Sequence, residues 1–422
     1  MYVITFQEGA LFMHKPMFAI TRHPPMKENI AVVPVIFKKF KGLSAKMFYG
    51  FTKMGKTRFF PKHDYHYNHM KNLALVYFNL TPLCNLRCRM CGQWGDKGKM
   101  KNGRVAEEVK TLVPLERYKE IIDEIAPCYP VTYIWGGEPF LYPDLMPLAK
   151  YMVDKGLFVS VNTNGTFIEE HAERIVRDRW SAIFVSLDAF EETNDAMRGK
   201  GSYQKVVRGF DAINREKKKQ NSSYPIMSVV STVTNMNYLV LDQLAEASRS
   251  FGLDIHIFNL GTYTNDNIIA RQKEYMREKL DTDIDCLAAY NTGYNLDIDG
   301  KKLHAILEKL HRGDYGHPII TVPTLNPEKT HTYYADLETP VRNHCIVPWC
   351  QTNINYNGDV HFCADYPDYI LGNIKTQSFA EIYNGDRANR FRKAIHESEG
   401  GMFPGCLRCY QNMLFGKKIK GY

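Results

Sequence analysis

Ten cysteines fall at positions 84, 88, 91, 128, 286, 345, 350, 363, 406 and 409. Tight groups separated by a long gap are unlike an evenly spaced disulfide framework and point to metal or redox chemistry. Cys84, Cys88 and Cys91 stand as C-x3-C-x2-C in the run TPLCNLRCRMCGQW. Three thiolates can hold three irons of a cubane cluster and leave the fourth open, and an open iron is a reactive site. The other reading is a zinc site or incidental thiols, but structural zinc favours four ligands and C-x2-C pairs. Further along, Cys345-x12-Gly358-x4-Cys363 is followed by Cys406-x2-Cys409 in PGCLRCY. Four thiolates from a hairpin and a loop make a closed site, for which structural zinc is the alternative occupant. Cys350 can replace one of the four, ligate as an alternative, or pack beside Trp349. Cys128 and Cys286 read as core or surface thiols, with a hydrogen-donor role as the other reading.

The elements that must position these groups follow an alternating rhythm after residue 72. Strands are expected at 73–80, 131–135, 157–162, 182–187, 226–233 and 255–260. Helices are expected at 115–125, 144–155, 168–177, 203–219 and 239–251. The first cysteine group lies just past the first strand. Residues 262–340 read as a less regular connector with helices at 268–279 and 302–311 and a loop rich in Pro and Thr at 318–330. From 341 onward, short strand-like runs include 351–356, with Asn357 and Gly358 marking a hairpin turn.

The composition is ordinary for a globular chain, with 44% hydrophobic and 24% charged residues in 422, which excludes wholesale disorder. The net charge of +8 is unevenly placed: residues 1–71 hold twelve basic residues against Glu8, Glu28 and Asp64. This basic extension interleaves Lys with Phe, Tyr and Met, so it reads as a solvated arm on the body, an interfacial segment on anionic lipid, or a clamp for an acidic peptide or nucleic acid. No nucleic-acid module is recognisable, so no nucleic-acid partner is expected. No apolar run approaches a spanning helix, and the N-terminus has no convincing leader pattern, so a cytoplasmic protein is expected, with peripheral membrane contact through the basic extension as an option. His63, His66 and His69 recur at threes but lack a carboxylate or Cys partner at metal spacing, so they read as solvated or packed.

The C-x3-C-x2-C loop at the end of a first strand resembles the radical S-adenosylmethionine (radical SAM) superfamily. Met90 stands where that family usually has an aromatic residue. Gly136-Gly137-Glu138-Pro139 follows the second strand, where the resemblance implies contact with the methionyl amino group of the cofactor. Glycines permit close backbone approach and a carboxylate suits an ammonium. Asn164 in NTNG, Ser186 and Asp188 in SLD, and Arg198 in AMRGKGSY fall where the family meets the ribose and carboxylate of the cofactor; capping or turn roles are the alternative. The C-terminal group, with LGNI and FAEIYN, resembles the SPASM/Twitch extension. A full SPASM domain has seven cysteines, whereas five follow residue 341 here, so one auxiliary 4Fe-4S cluster on Cys345, Cys363, Cys406 and Cys409 is expected.

The resemblance implies an α/β fold: a partial (β/α)6 TIM-like barrel over 72–261, the connector 262–340, and a small cysteine-rich α+β domain over 341–422. It implies reductive cleavage of SAM to a 5'-deoxyadenosyl radical that abstracts hydrogen from a substrate, with a one-electron donor such as flavodoxin or ferredoxin as partner. The first expectation for substrate is oxidative modification of a peptide or protein side chain. The alternatives are a small or lipid-linked metabolite, and, in another class, a non-catalytic iron-sulfur carrier. No residue is assigned a catalytic role beyond the cluster and cofactor contacts.

Overall fold

The computed structural model describes residues 3–7, 10–14, 53, 69–102, 105–364 and 366–419. Its centre is a sheet whose strands are β1 (Leu75–Asn79), β2 (Val131–Trp135), β3 (Phe158–Thr163), β4 (Ala182–Ser186), β5 (Ile226–Thr232), β6 (Ile255–Asn259), β7 (Ile319–Val322), β8 (Gln351–Ile354), β9 (Asp359–His361) and β10 (Gly372–Asn373). β1 to β7 run parallel in chain order, and β8 returns to lie parallel against the free side of β1. β9 and β10 extend that side as antiparallel strands. The C-terminal hairpin is therefore hydrogen-bonded into the barrel sheet itself.

Period-two alternation decides which side chains face the helices. Val76, Phe78, Ile134, Val159, Val161, Ile183, Val185, Met227 and Val229 are sealed beneath the helices. Each such apolar side chain contributes about 1.5–3 kcal/mol on burial. The alternate residues Tyr77, Tyr133, Trp135, Phe184, Ser186, Val230 and Ile257 are only half-buried and line the other, lumen-facing side. The helices, among them α1 (Leu115–Ile125) and α2 (Leu145–Asp154), show the complementary stripe. In α3 (Ile168–Arg177), Ile168, Ala172, Ile175 and Val176 are buried at helical spacing while Glu169 and Glu170 open the first turn, where a carboxylate suits the helix dipole. Helix α3 packs on α5 (Ser202–Lys219), where Gly209 lets Ile168 approach.

At the N-terminal ends of the strands, Leu75, Val131, Phe158, Ala182 and Ile226 form an apolar layer against which Phe415 packs. Tyr410 and Leu414 pack on Ile255, Ile320 and Val322. The short helix Tyr410–Phe415 thus lies across that end of the lumen, directly after Cys409.

Several elements fall outside the sequence expectation, among them the helices Pro327–Ala335 and Asp386–Glu397 and two in the barrel. β7 lies in the stretch read as a Pro- and Thr-rich loop, because its four residues are bracketed by Pro318 and Pro323 and are too few to show alternation. Helix α4 (Glu191–Arg198) reads EETNDAMR, with only Asn194 and Met197 buried, so it carries no apolar stripe to detect. Of the basic extension, Lys53 is described: it is buried and donates to the carbonyls of Leu73 and Cys128. His69 is also buried, and its backbone N–H donates to Asn384 Oδ1. His63, His66 and the remainder of the aromatic and basic run lie outside the described residues. Among the described residues, no helix is long and apolar enough to cross a membrane.

Candidate active site between two cysteine centres

Cys84, Cys88 and Cys91 sit on the loop that leaves β1, each partly exposed. The loop is folded by its own backbone, with Cys91 N donating to Cys88 O at 3.1 Å and Gly95 N to Cys91 O at 2.8 Å. N–H groups surround the sulfurs. Leu86 N lies 3.5 Å from Cys84 Sγ, and Gln93 N and Trp94 N lie 3.4 and 3.5 Å from Cys91 Sγ. Asn164 Nδ2 is 4.0 Å from Cys84 Sγ, and Arg198 Nη1 is 3.9 Å from Cys88 Sγ. Burial pushes the Cys88 thiol up to about 12, against the pull of Arg198, and Cys91 and Cys84 add to the rise. Burial likewise raises Cys84. Such thiols become thiolates when a cation binds them, and N–H donors around sulfur suit a cluster's charge. The donor set therefore fits an iron-sulfur cluster, although among the described residues no three His, Cys, Asp or Glu side chains are drawn into a closed ligand shell.

The GGEP segment docks on this loop through its backbone. Gly137 N donates to Thr81 O at 2.8 Å and Glu138 N to Leu83 O at 2.6 Å. A Cβ on Gly137 would stand 1.9 Å from Leu83 O, and Gly136 has a φ of +144° with Asn79 Oδ1 2.6 Å from its would-be Cβ. Both glycines are thus required by the approach of β2's exit to the cysteine loop. Glu138 is fully buried and accepts from Thr163 Oγ1 at 2.7 Å, Asn164 N at 2.8 Å and Phe140 N at 3.3 Å. Burial outweighs those bonds and raises its carboxyl to about 7. Glu138 therefore ties the ends of β2 and β3 together beneath the cysteine loop.

Across the lumen, Asp188 follows β4 and is sealed from solvent. Its Oδ1 accepts from Thr232 N at 2.7 Å and its Oδ2 from Arg198 Nε at 2.7 Å. Burial opposes the charge of Arg198, but Asp188 and Cys88 outweigh burial and hold the guanidinium above its ordinary range. Asn194 Oδ1 accepts from Asp188 N, and Asn237 Nδ2 donates to Asp188 O. Ser186 ends β4 half-buried on the lumen side. Asn164, Arg198 and Asp188 thus converge on the first cysteine group. Thr163, Thr232, Asn194 and Asn237, which fix them, escaped sequence reasoning, since Thr and Asn near strand ends also serve ordinary turns.

The C-terminal cysteines are all buried. Cys345, Cys363, Cys406 and Cys409 belong to the main core, whereas Cys350 packs with Ala74, Ile346 and Phe415. Phe415 packs both on the cluster of Ala74, Ile346 and Cys350 and on the apolar layer that Tyr77 also packs against. Arg408 is fully buried and donates to the carbonyls of Tyr333, Thr339 and Asp336 at 2.9, 3.0 and 2.7 Å, pinning the Cys406–Cys409 loop to the end of helix Pro327–Ala335. Between the two groups, Tyr77, Tyr133 and Phe184 form a ladder with ring centroids 5.1 and 5.6 Å apart.

Comparison with known proteins agrees with this arrangement. Residues 78–236 match the model of the radical SAM superfamily, and residues 345–410 that of an iron-sulfur cluster-binding domain, SPASM. The chain is 34% identical to a Fe-coproporphyrin III synthase of Methanosarcina barkeri, with 76% of each chain covered. It is 25% identical to a pre-heme d1 synthase of Dinoroseobacter shibae over 74% of this chain and 73% of the other. It is 32% identical to the mycofactocin maturase MftC of Mycolicibacterium smegmatis over 43% of each. The fold resembles that of Streptococcus suis SuiB bound to S-adenosylmethionine, with a TM-score of 0.55, 13% identity, and 81% of this chain and 72% of the other covered. The chain accordingly belongs to the radical SAM superfamily, as an enzyme that uses a 4Fe-4S cluster and S-adenosylmethionine and carries auxiliary iron-sulfur in a C-terminal SPASM domain.

Proposed function

We propose that this enzyme carries out radical chemistry on an iron tetrapyrrole bearing carboxylate side chains. The observation that carries the reading is the 34% identity to a Fe-coproporphyrin III synthase over three quarters of both chains, joined by the likeness of similar extent to a pre-heme d1 synthase. The aromatic ladder of Tyr77, Tyr133 and Phe184 is in keeping with it, since flat rings suit a flat macrocycle. A peptide or protein side chain is the second reading, favoured by the likeness to MftC, which is confined to 43% of the chain.

In this reading Cys84, Cys88 and Cys91 hold the first cluster, and Gly136, Gly137, Glu138, Asn164, Ser186, Asp188 and Arg198 frame S-adenosylmethionine. Cys345, Cys363, Cys406 and Cys409 hold an auxiliary cluster. Bound there and reduced by one electron from a flavodoxin- or ferredoxin-type donor, cluster and cofactor would supply 5'-deoxyadenosyl radical chemistry for hydrogen abstraction from the substrate. Arg198, held cationic by Asp188, supplies positive charge for a carboxylate beside Cys88. The helix Tyr410–Phe415 closes the lumen at its far end and keeps water from the reacting side.

The test is 5'-deoxyadenosine formation by anaerobically reconstituted enzyme with reductant and S-adenosylmethionine. Iron tetrapyrroles with carboxylate side chains and a peptide-rich cell fraction are supplied separately, with Cys88→Ala as control. Stimulation by the tetrapyrrole supports the reading; stimulation by peptide alone replaces it with the second.

A further inference from the structure

A stripe of buried polar side chains crosses the lumen face where the barrel meets the C-terminal hairpin. Strand register puts Asn79 opposite Trp135, Tyr77 opposite both Tyr133 and Asn353, and Asn353 opposite His361. Gln351 lies two residues before Asn353 and so on the same face. Gln351 and Asn353 are fully buried, His361 is 1% exposed and Asn79 5% exposed. Yet Trp135 Nε1, Asn79 Oδ1, both polar atoms of Gln351, Asn353 Oδ1 and His361 Nε2 have no hydrogen-bond partner. Buried polar atoms are almost always paired in native proteins, so six unpaired ones on one face of four adjacent strands mark where a polar ligand belongs.

His361 is distinguished within the stripe. Its Nδ1 lies 2.7 Å from the carbonyl oxygen of Cys363. A carbonyl only accepts, so Nδ1 carries the ring hydrogen and Nε2 presents a bare lone pair. A backbone carbonyl behind Nδ1 is the usual arrangement of a metal-ligating histidine. Trp135 Nε1 and the Gln351 amide add N–H donors that suit carboxylates on a macrocycle's rim.

We propose that His361 is an axial ligand to the iron of the tetrapyrrole substrate, and that Gln351, Asn353, Asn79 and Trp135 are its polar contacts between the two cysteine centres. This rests on the tetrapyrrole reading of the site. Iron enters as part of the substrate, and ligation leaves its oxidation state unchanged.

The experiment uses the reconstituted full chain with oxidised clusters and two probes, ferric coproporphyrin III and metal-free coproporphyrin III. The wild type is expected to bind both and to give the iron form the electron paramagnetic resonance signature of an imidazole ligand. His361→Gln is expected to bind the metal-free form as the wild type does and to lose that signature. Its affinity for the iron form should fall by about tenfold or more, the scale on which even the outer partners of metal ligands act. Added imidazole should restore the signature, and His361→Met should replace it with that of a thioether ligand. An unchanged signature in His361→Gln overturns the inference and leaves the tetrapyrrole reading standing. Loss of cluster iron from His361→Gln with the imidazole signature retained also overturns it, and assigns His361 to the auxiliary centre. If the wild type binds neither probe, the tetrapyrrole reading itself fails.

Discussion

Arg198 and Asp188 form an ion pair of 2.7 Å in which the carboxylate is sealed from solvent and the guanidinium nearly so. The same guanidinium reaches to 3.9 Å from Cys88 Sγ, so one side chain connects the end of β4 to the cysteine loop. A buried ion pair is not strongly stabilising in itself, but removing one partner leaves the other charge uncompensated.

Asp188→Asn should therefore destabilise the protein by about 3–5 kcal/mol, the scale of a broken buried pair. The amide oxygen can still accept from Thr232 N, so the loss is specific to Arg198. Chemical denaturation monitored by circular dichroism checks this, and a change below about 1 kcal/mol would mean that Arg198 finds another partner.

Gly137→Ala should displace the cysteine loop, because the new Cβ would meet Leu83 O at 1.9 Å and backbone cannot yield as a side chain does. The first cluster should be lost while the auxiliary site, on a different element, keeps its iron. Iron analysis and Mössbauer spectra of reconstituted protein read both. Equal loss from both sites would point to general unfolding.

Arg408→Leu should show the reverse order. The carbonyls of Tyr333, Thr339 and Asp336 lose the Arg408 donor, at about 0.5–1.5 kcal/mol for each hydrogen bond removed, while the Tyr333 carbonyl keeps the Tyr263 hydroxyl. The loop carrying Cys406 and Cys409 then loses its anchor. Auxiliary iron should fall before iron on the first site, read by the same spectra.

The carboxyl of Glu138 titrates near 7 in the folded chain, raised by burial from an ordinary value of 4.5. Between those values the folded state holds a proton that the unfolded state has released. Its contribution to stability is thus full below pH 4.5 and is lost as pH rises through about 7, amounting to roughly 3 kcal/mol. Glu138→Gln should remove this slope. Denaturation midpoints of the two proteins compared between pH 5 and 8 check it, and parallel curves would exclude Glu138 as the source.

Much of this architecture was legible in the residues. The strands at 131–135 and the helix at 168–177 stand as their apolar periodicity requires, and the Asn357-Gly358 turn forms the β8–β9 hairpin, with Gly358 at φ +93°. β7 and α4 were not legible, the first for shortness and the second for lack of an apolar stripe. At the site, GGEP was legible as a close backbone approach. That the segment also pairs with the chain itself, at Thr81 and Leu83, was not legible, because loop-to-loop pairing leaves no local pattern. The stripe ending at His361 was illegible for a related reason. Its members come from four strands that adjoin only when β8 returns beside β1. Alternation alone would have put Gln351 and Asn353 on one face, but not against Tyr77.

The most direct test of the account uses an iron tetrapyrrole deuterated in its carboxylate-bearing side chains, given to the reduced enzyme with S-adenosylmethionine. Deuterium is expected in the 5'-deoxyadenosine produced by the wild type, with no product from Cys88→Ala. Formation of 5'-deoxyadenosine that carries no deuterium, or that depends on peptide instead, would contradict this expectation.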